Sequence, residues 1–525
     1  MLKRAPLSAD LLPIRETLTQ MLPKLELDPS WYGSIFFERK ATKGLTANLK
    51  STQVSDQVSM GVVFRIYDGY TLFEEATDDL EPQSLQKFVE GFAARVKSTR
   101  PPAGAPQRPY RPVTWKERLA QGPYEQELAS QLPSELSAKT PVHFGVRFSR
   151  DPRAESVAQT LERLKATVER FKTLAPECGF QPQDLTYVLA RQTFAQEESI
   201  FIDRETNMSQ ALFRLALTVV VMSGADRTYE RMGGLGGLEI AETQDELIRE
   251  LLSKLKALKA AERLQPGKYR VLFGPVVSGV LAHEAFGHSQ EGDTCARGRS
   301  KAWEIHKTGE NVGNAHATIL NNPAIYDNAD TGYAAWGSYF FDEEGWLARE
   351  QVLLDRGQLK APMTNLTSAI RLNVPRSANG KRESWANGVY TRQTNTYFSA
   401  GDKTFDELVA QMKDGFIALH PAGGMEDPKG MGIQVGIAYL DEVRDGKLTG
   451  RVFKGPVGGD IQMTGYTPDI LNSIVAKSKI DAEQAGPDRS RHPLNDAGGC
   501  GKYHKEFVFA GCGGPYMLLE NVTLG

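Results

Sequence analysis

Between Lys97 and Pro112 the chain reads KSTRPPAGAPQRPYRP, with prolines at 101, 102, 106, 109 and 112. Each proline fixes φ and lacks an amide hydrogen, so this stretch is excluded from a helix interior and from a central strand. It is a linker or an exposed wrapping arm, and the cores must close on either side of it. At 525 residues the chain has ample length for that, with a soft expectation of about two to four domains. The expected organisation is an N-terminal α/β region over 1–96, a proline-rich linker over 97–112, a second α/β region over 113–267 packing with the first, and a β-rich region over 268–525.

Local patterns support that division. SIFFERK and GVVFRIYDGYTLFEE have strand chemistry, and Leu85, Phe88, Val89, Phe92 and Val96 share one helical face. Beyond the prolines, Val157, Leu161, Leu164, Val168 and Phe171 mark an amphipathic helix, followed by strand-like LTYVLARQ and ALFRLALTVVVMS. Thr243 is the expected N-cap of a helix carrying Leu247, Ile248, Leu251, Leu252, Leu255 and Leu258. From Lys268 onward short strands alternate with tight turns, Asp445-Gly446 being a strong hairpin signal, with one helix between Thr404 and Gly415. The fold class expected is α+β, with a mixed α/β N-terminal portion and a β-rich, antiparallel, barrel-like C-terminal portion.

Charge and apolar pattern exclude several functions. Sixty-two basic residues against 65 acidic ones, with no dense basic stripe, do not suit a nucleic-acid binder. The apolar run from Leu215 to Met222 is far shorter than the ~20 residues of a bilayer-spanning helix. Lys3 and Arg4 resemble the start of a signal peptide, but Asp10, Arg15 and Glu16 deny it an apolar segment, so a cytoplasmic chain is expected. Cysteines at 178, 295, 500 and 512 are too few for a disulfide framework and should act as ligand, nucleophile or core filler.

The segment YRVLFGPVVSGVLAHEAFGHSQEGD runs from a strand through Gly274 into a helix with Pro275 near its first position. That helix delivers His283, Glu284 and His288 in an H-E-x-x-x-H pattern. Two imidazoles and a carboxylate suit a catalytic divalent metal, the nitrogens as ligands and the carboxylate as base. Histidines five apart lie about 140° apart on a regular α-helix, too far for one ion. A π-bulge of about 4.4 residues per turn brings them to about 50°, and Gly287 should make that distortion inexpensive. The bland alternative is a pair of hydrogen-bonding histidines at a helix end. Cys500 lies in GGCGKYH, where a thiolate could complete a His2Cys set, although a lone cysteine is more often a small buried hydrophobe. Cys295 and Cys512 fit structural roles better.

LAHEAFGHSQEGD, GKRESWANGVYTRQTNTYF, GGCGK and the terminal PYMLLENVTLG, in this order, resemble the TldD/PmbA (TldD/TldE) family of metallopeptidases, and specifically its metal-bearing TldD side. The resemblance implies one zinc per chain held by His283, His288 and Cys500, with Glu284 as general base. It also implies a homodimer, or a heterodimer with a TldE/PmbA-like subunit, acting on unfolded polypeptides or leader peptides with little sequence preference. The stretches HPAGGMEDPKGMG and AKSKIDAEQAGPDRSRHPLND depart from the usual pattern, so substrate choice could differ. His504 is left outside the metal set.

In the expected mechanism Glu284 takes a proton from water activated by zinc and later protonates the leaving amine. Glu291 could orient a ligand imidazole or act as a further ligand, with a solvated turn carboxylate as its alternative. Tyr397 and Tyr503 are oxyanion candidates, and Arg382 either touches substrate or forms a structural ion pair with Glu383. MGGLGGLEI lacks the lysine of a phosphate loop and reads instead as a glycine-rich edge where a peptide could add as a strand. Two other classes compete: a non-catalytic peptide-binding or assembly subunit, and a cysteine hydrolase using Cys500 with His504. The glycines beside Cys500 argue against the helix that the latter needs.

Overall fold

A proline arm can separate two stretches in sequence while the strands on either side still pair. The computed structural model describes residues 2–101, 103–104, 106–137, 140–326, 334–457, 459–479, 498–502 and 505–525. Ahead of the arm lie α1 (Leu11–Leu25), β1 (Tyr32–Asn48), β2 (Thr52–Tyr67), β3 (Leu72–Thr77) and α2 (Pro82–Ser98). After it come β4 (Pro141–Gly145), α3 (Val157–Leu174), β5 (Tyr187–Asp203), β6 (Asn207–Ser223), β7 (Asp226–Leu235) and α4 (Asp245–Lys259). These strands make one sheet in the order β3-β2-β1-β5-β6-β4, with β7 on the remaining length of β6. β1 and β5 pair antiparallel from Ser34–Asp203 to Asn48–Leu189, so segments before and after the arm share a sheet.

One sheet face is covered by helices. Ile35, Phe37, Val62 and Phe64 pack against α1 and α2, while Leu45, Ala47, Val188 and Val219 pack against α3 and α4. Burying side chains of this size stabilises by about 1.5–3 kcal/mol each. The opposite face meets the C-terminal half. The Gln210 amide donates to the Phe341 carbonyl, the Arg214 guanidinium donates to the Trp336 and Ser338 carbonyls, and Phe144 stacks on Phe340 at 5.5 Å. Cover on both faces explains the nearly continuous apolar run of β6.

Ser156 and Gln159 form a capping box at the start of α3. At α4 the N-cap position falls on Gln244, one residue beyond the expected Thr243, with no side-chain cap. Asp245 and Glu246 in the first turn instead complement the helix dipole. The proline arm wraps rather than hangs free. Arg108 donates its amide to Gly69 and its guanidinium to the Ile370 carbonyl, and Tyr110 lies edge-on to Tyr32 at 4.9 Å.

The C-terminal half contains β8 (Gly267–Phe273), α5 (Pro275–Ala282), β9 (Ile319–Asn321), β10 (Gln351–Asp355), β11 (Gln358–Leu359), β12 (Asn395–Phe398) and α6 (Phe405–Met412). It continues with β13 (Gly415–Ala418), β14 (Pro421–Glu426), β15 (Gly432–Ile437), β16 (Leu440–Arg444), β17 (Lys447–Lys454) and β18 (Ile461–Tyr466). Last come β19 (Ile474–Lys477), β20 (Gly498–Lys502), β21 (Lys505–Gly513) and β22 (Met517–Leu524). A curled ten-stranded sheet runs from the short strand Glu262–Arg263 through β17-β16-β13-β8-β22-β18-β15 to the edge strand β14, with β19 also on β22. A six-stranded sheet has the order β11-β10-β9-β12-β21-β20.

Most pairs are antiparallel as expected, but β8 runs parallel to β13 and β12 parallel to β21. Asp445 and Gly446 turn the β16–β17 hairpin with φ of 49° and 70°, the left-handed geometry that Asp-Gly tolerates. Thr404 caps α6 in a capping box with Glu407. Between the two sheets runs α5, buried on nearly every side, with Val277 and Leu281 packed among Phe398, Val435 and Leu519. Its end is therefore fixed from both sides.

Candidate metal centre

That fixed end carries the chemistry. Pro275 opens α5 after Gly274, and at His283–Gly287 the backbone widens into a π turn in which the His288 amide donates to the His283 carbonyl. The extra residue in the turn brings the two rings onto one side, with centroids 4.7 Å apart and planes at 89°. Gly287 serves a different purpose from the one expected. Its φ of −72° is ordinary helical backbone, but a Cβ there would overlap the Gln393 amide. Gln393 in turn donates to the His283 carbonyl at 3.2 Å.

Cys500 arrives from β20, paired with Val508 of β21. Its Sγ lies 3.2 Å from His288 Nε2, and the donor atoms of His283, His288 and Cys500 all fall within 4.8 Å of one another. Cys500 and His288 are buried, and His283 is half-exposed. Gly499 permits this approach, since a Cβ there would collide with the Phe507 ring.

Burial alone would raise the Cys500 thiol and neutralise His288. The facing charges outweigh it: His288 and His283 hold the thiol well below its usual range, and Cys500 with Glu291 pushes His288 up to about 10. Both shifts favour the charged forms, and a metal bound here would displace the His288 proton. One soft sulfur and two imidazoles converging beside open space fit a borderline divalent ion that keeps one position free.

Glu284 follows the first histidine and is buried, with burial pushing its carboxyl up to about 7 against the pull of His283 and His288. Glu426 of β14 adds to that rise, and Glu284, His288 and Glu426 form a second close cluster. Glu291 is fully buried, with Oε1 3.5 Å from His288 Nδ1 and 3.6 Å from Arg392 Nε. Arg392 also donates to the Cys500 carbonyl at 2.6 Å, bracing both ends of the ligand set.

Two other expected site residues lie elsewhere. Arg382 forms a two-pronged ion pair with Glu74 of β3, at 3.0 and 2.9 Å, and reaches Glu343 rather than Glu383. Tyr397 donates to Glu350 at 3.1 Å and packs with Ile325 and Ala335. Tyr503 and His504 lie outside the described residues. The sequence reading did not single out Glu426, Arg392 or Gln393, although each sits in a stretch that it quoted.

A cavity of about 660 Å³ opens over His283, Glu284 and Cys500, walled by Tyr229 and Arg231 of β7 and by Gly424 of β14. Gly424 lies so close that a Cβ would overlap Glu284. Gly233 and Gly234 of the glycine-rich run pair with Ala216 and Leu215 within β7. Two edge strands, β7 and β14, therefore flank the cavity.

Residues 266–525 match the family described as the PmbA/TldA metallopeptidase C-terminal domain. The chain is 31% identical over 275 residues to a metalloprotease of Methanocaldococcus jannaschii, covering 52% of this chain and 57% of that one. It is 26% identical over 287 residues to a zinc metalloprotease TldD homolog of Saccharolobus solfataricus, covering 53% and 59%. It thus spans a little under three fifths of the length of these two curated relatives. The crystal structure of TldE from Thermococcus kodakarensis superimposes with a TM-score of 0.66 at 14% identity, over 98% of this chain and 100% of that one, which shows a common fold.

The match of the C-terminal half places this scaffold in a class described as metallopeptidases. Residues 266–525 belong to the PmbA/TldA metallopeptidase C-terminal domain family, and the chain resembles proteins named as TldD homologs.

Proposed function

We propose that this chain is a zinc-dependent metallopeptidase of the TldD type, cleaving unfolded polypeptides or leader peptides in the cytoplasm. The observation that carries this is the convergence of His283, His288 and Cys500 within 4.8 Å, with the protonatable Glu284 beside them on one cavity wall. His283, His288 and Cys500 would hold one zinc, which when bound polarises the scissile carbonyl and makes water a competent nucleophile at neutral pH.

The chain's own groups do the rest. Glu284 accepts the proton of the attacking water on its carboxylate and returns it to the leaving amine, a task suited to a carboxyl titrating near 7. Glu291, held by Arg392, fixes the His288 ring through its Nδ1 side. The edges of β7 and β14 offer backbone groups to an extended peptide, which supports broad substrate acceptance. The assembly belonging to this reading is a dimer, either of this chain or with a TldE-like subunit.

Metal analysis and peptide cleavage on wild type and Glu284→Gln, each with and without the TldE-like partner, test the proposal. Both proteins are expected to hold about one zinc, and only wild type to turn over. Cleavage by the variant, or zinc binding that survives His283→Ala and Cys500→Ala, overturns it.

A further inference from the structure

A second cavity, of about 820 Å³, lies beside the first between α4, β7 and the β16–β17 hairpin. The two are adjacent and share a wall: Arg227, Tyr229, Glu230, Leu419, His420 and Asp460 line both. Its floor is an apolar cluster of Leu258, Tyr439 and Val452, each at most 5% exposed. Both lysines in its wall are tied to carboxylates. Lys254 holds Asp441 at 2.7 Å, and Lys454 holds Asp226. The His420 ring stands between Tyr229 at 6.1 Å and Tyr439 at 5.2 Å, and the Tyr229 hydroxyl donates to the Pro421 carbonyl. Burial holds His420 down to about 4, so at neutral pH this aromatic partition carries no charge.

We propose that this second cavity is a specificity subsite that takes a bulky apolar side chain, aromatic or long aliphatic, of the peptide being cleaved. The inference rests on the peptidase reading and adds a side-chain preference that backbone pairing alone cannot provide. A peptide laid along β7 sends successive side chains to opposite sides. Tyr229 and Glu230, adjacent on that strand, border both cavities. A residue close to the scissile bond therefore reaches the partition and passes it into the apolar floor. The lysines of the wall are already committed to carboxylates, so a charged side chain reaching the apolar floor would give up water without a free counter-ion and is disfavoured.

Full-length zinc-loaded protein and fluorogenic peptides differing at a single residue provide the test. Phe, Ala or Asp is scanned through two positions on each side of the cleaved bond. At one position Phe is expected to exceed Ala by about tenfold or more in kcat/KM, and Asp to fall below Ala. Ala257→Trp, which fills the cavity from α4, should bring the Phe/Ala ratio to within about twofold of one. Leu448→Asp, on the exposed strand at the mouth, should do the same without disturbing a core, and thermal midpoints and zinc content confirm folding of both. No preference in wild type, or an unchanged ratio in both variants, overturns the subsite. If wild type cleaves none of these peptides, the peptidase reading fails, and the subsite is read by anisotropy of labelled Phe and Ala peptides on Glu284→Gln. Tighter Phe binding that disappears on adding Ala257→Trp upholds the subsite, and equal affinities overturn it.

Discussion

Two clusters of charge are buried in the C-terminal half, and they are built in opposite ways. At the metal centre, donors of different chemistry converge on a shared point beside a cavity. In the other, Glu344 meets Arg65 at 2.5 Å, Arg376 at 3.2 Å and the Leu366 amide at 2.6 Å, while Arg382 grips Glu74 and Glu343. This second set clamps β2 and β3 of the N-terminal sheet to the C-terminal half. Burial acts on both carboxylates, but Arg65 and Arg376 overcome it and hold Glu344 below the usual range, whereas Glu284 is left high. Buried charge by itself does not mark a site; the difference lies in whether the groups satisfy one another or face open volume.

Opposite responses to single changes would break that contrast or confirm it. Glu284→Gln is expected to lower kcat by about 10²–10⁴-fold with little change in thermal midpoint, because the amide is isosteric and the ligand set is untouched. Glu344→Ala should do the reverse. It strands Arg376 in the interior and leaves Arg65 with Glu74 alone, at a cost of about 3–5 kcal/mol, read by denaturant unfolding, while the folded fraction still binds metal. Equal loss of stability in both variants would erase the distinction.

The parts that were legible in the sequence are local. The five-residue spacing of His283 and His288 pointed to a π turn if both were to meet one ion, and Asp445-Gly446 announced a hairpin because turn chemistry acts over four residues. Cys500 lies 212 residues after His288, and no periodicity joins them. The glycines around it made that thiol a candidate, and the family resemblance chose it over the more common role of a small buried hydrophobe. Glu426 and Arg392 reach the centre through sheet packing, and Arg382 finds Glu74 308 residues away. The reason for Gly287 was also out of reach, since its neighbour Gln393 belongs to another element.

His420 is a third kind of group, titratable and half-buried, held down by its partial burial and by the neighbouring Lys254 charge. Its folded pKa of about 4 lies below the unfolded value of about 6.5, so between these limits the unfolded chain binds more protons. Stability should therefore be complete above about pH 6.5 and fall by up to roughly 3 kcal/mol as pH drops to about 4. Unfolding midpoints from pH 7 to 4 on wild type and His420→Phe check this. The variant should lose that part of the slope, and matching slopes would show that the titration lies elsewhere.

The smallest effect tests the clamp most finely. Arg382→Lys keeps the positive charge at the junction but loses the planar fork that meets both oxygens of Glu74, and with it the reach to Glu343 and to the Asn387 carbonyl. Lost charge-assisted hydrogen bonds of this kind cost about 1.5–3 kcal/mol, and a lysine that recovers one of them should bring the loss to about 1–2 kcal/mol. Peptidase turnover and zinc content should stay at wild-type values, since Arg382 lies outside the metal cavity and its partners are structural. A drop in kcat without a drop in stability would instead move Arg382 from the clamp to the site, and the contrast between the two clusters would have to be redrawn around it.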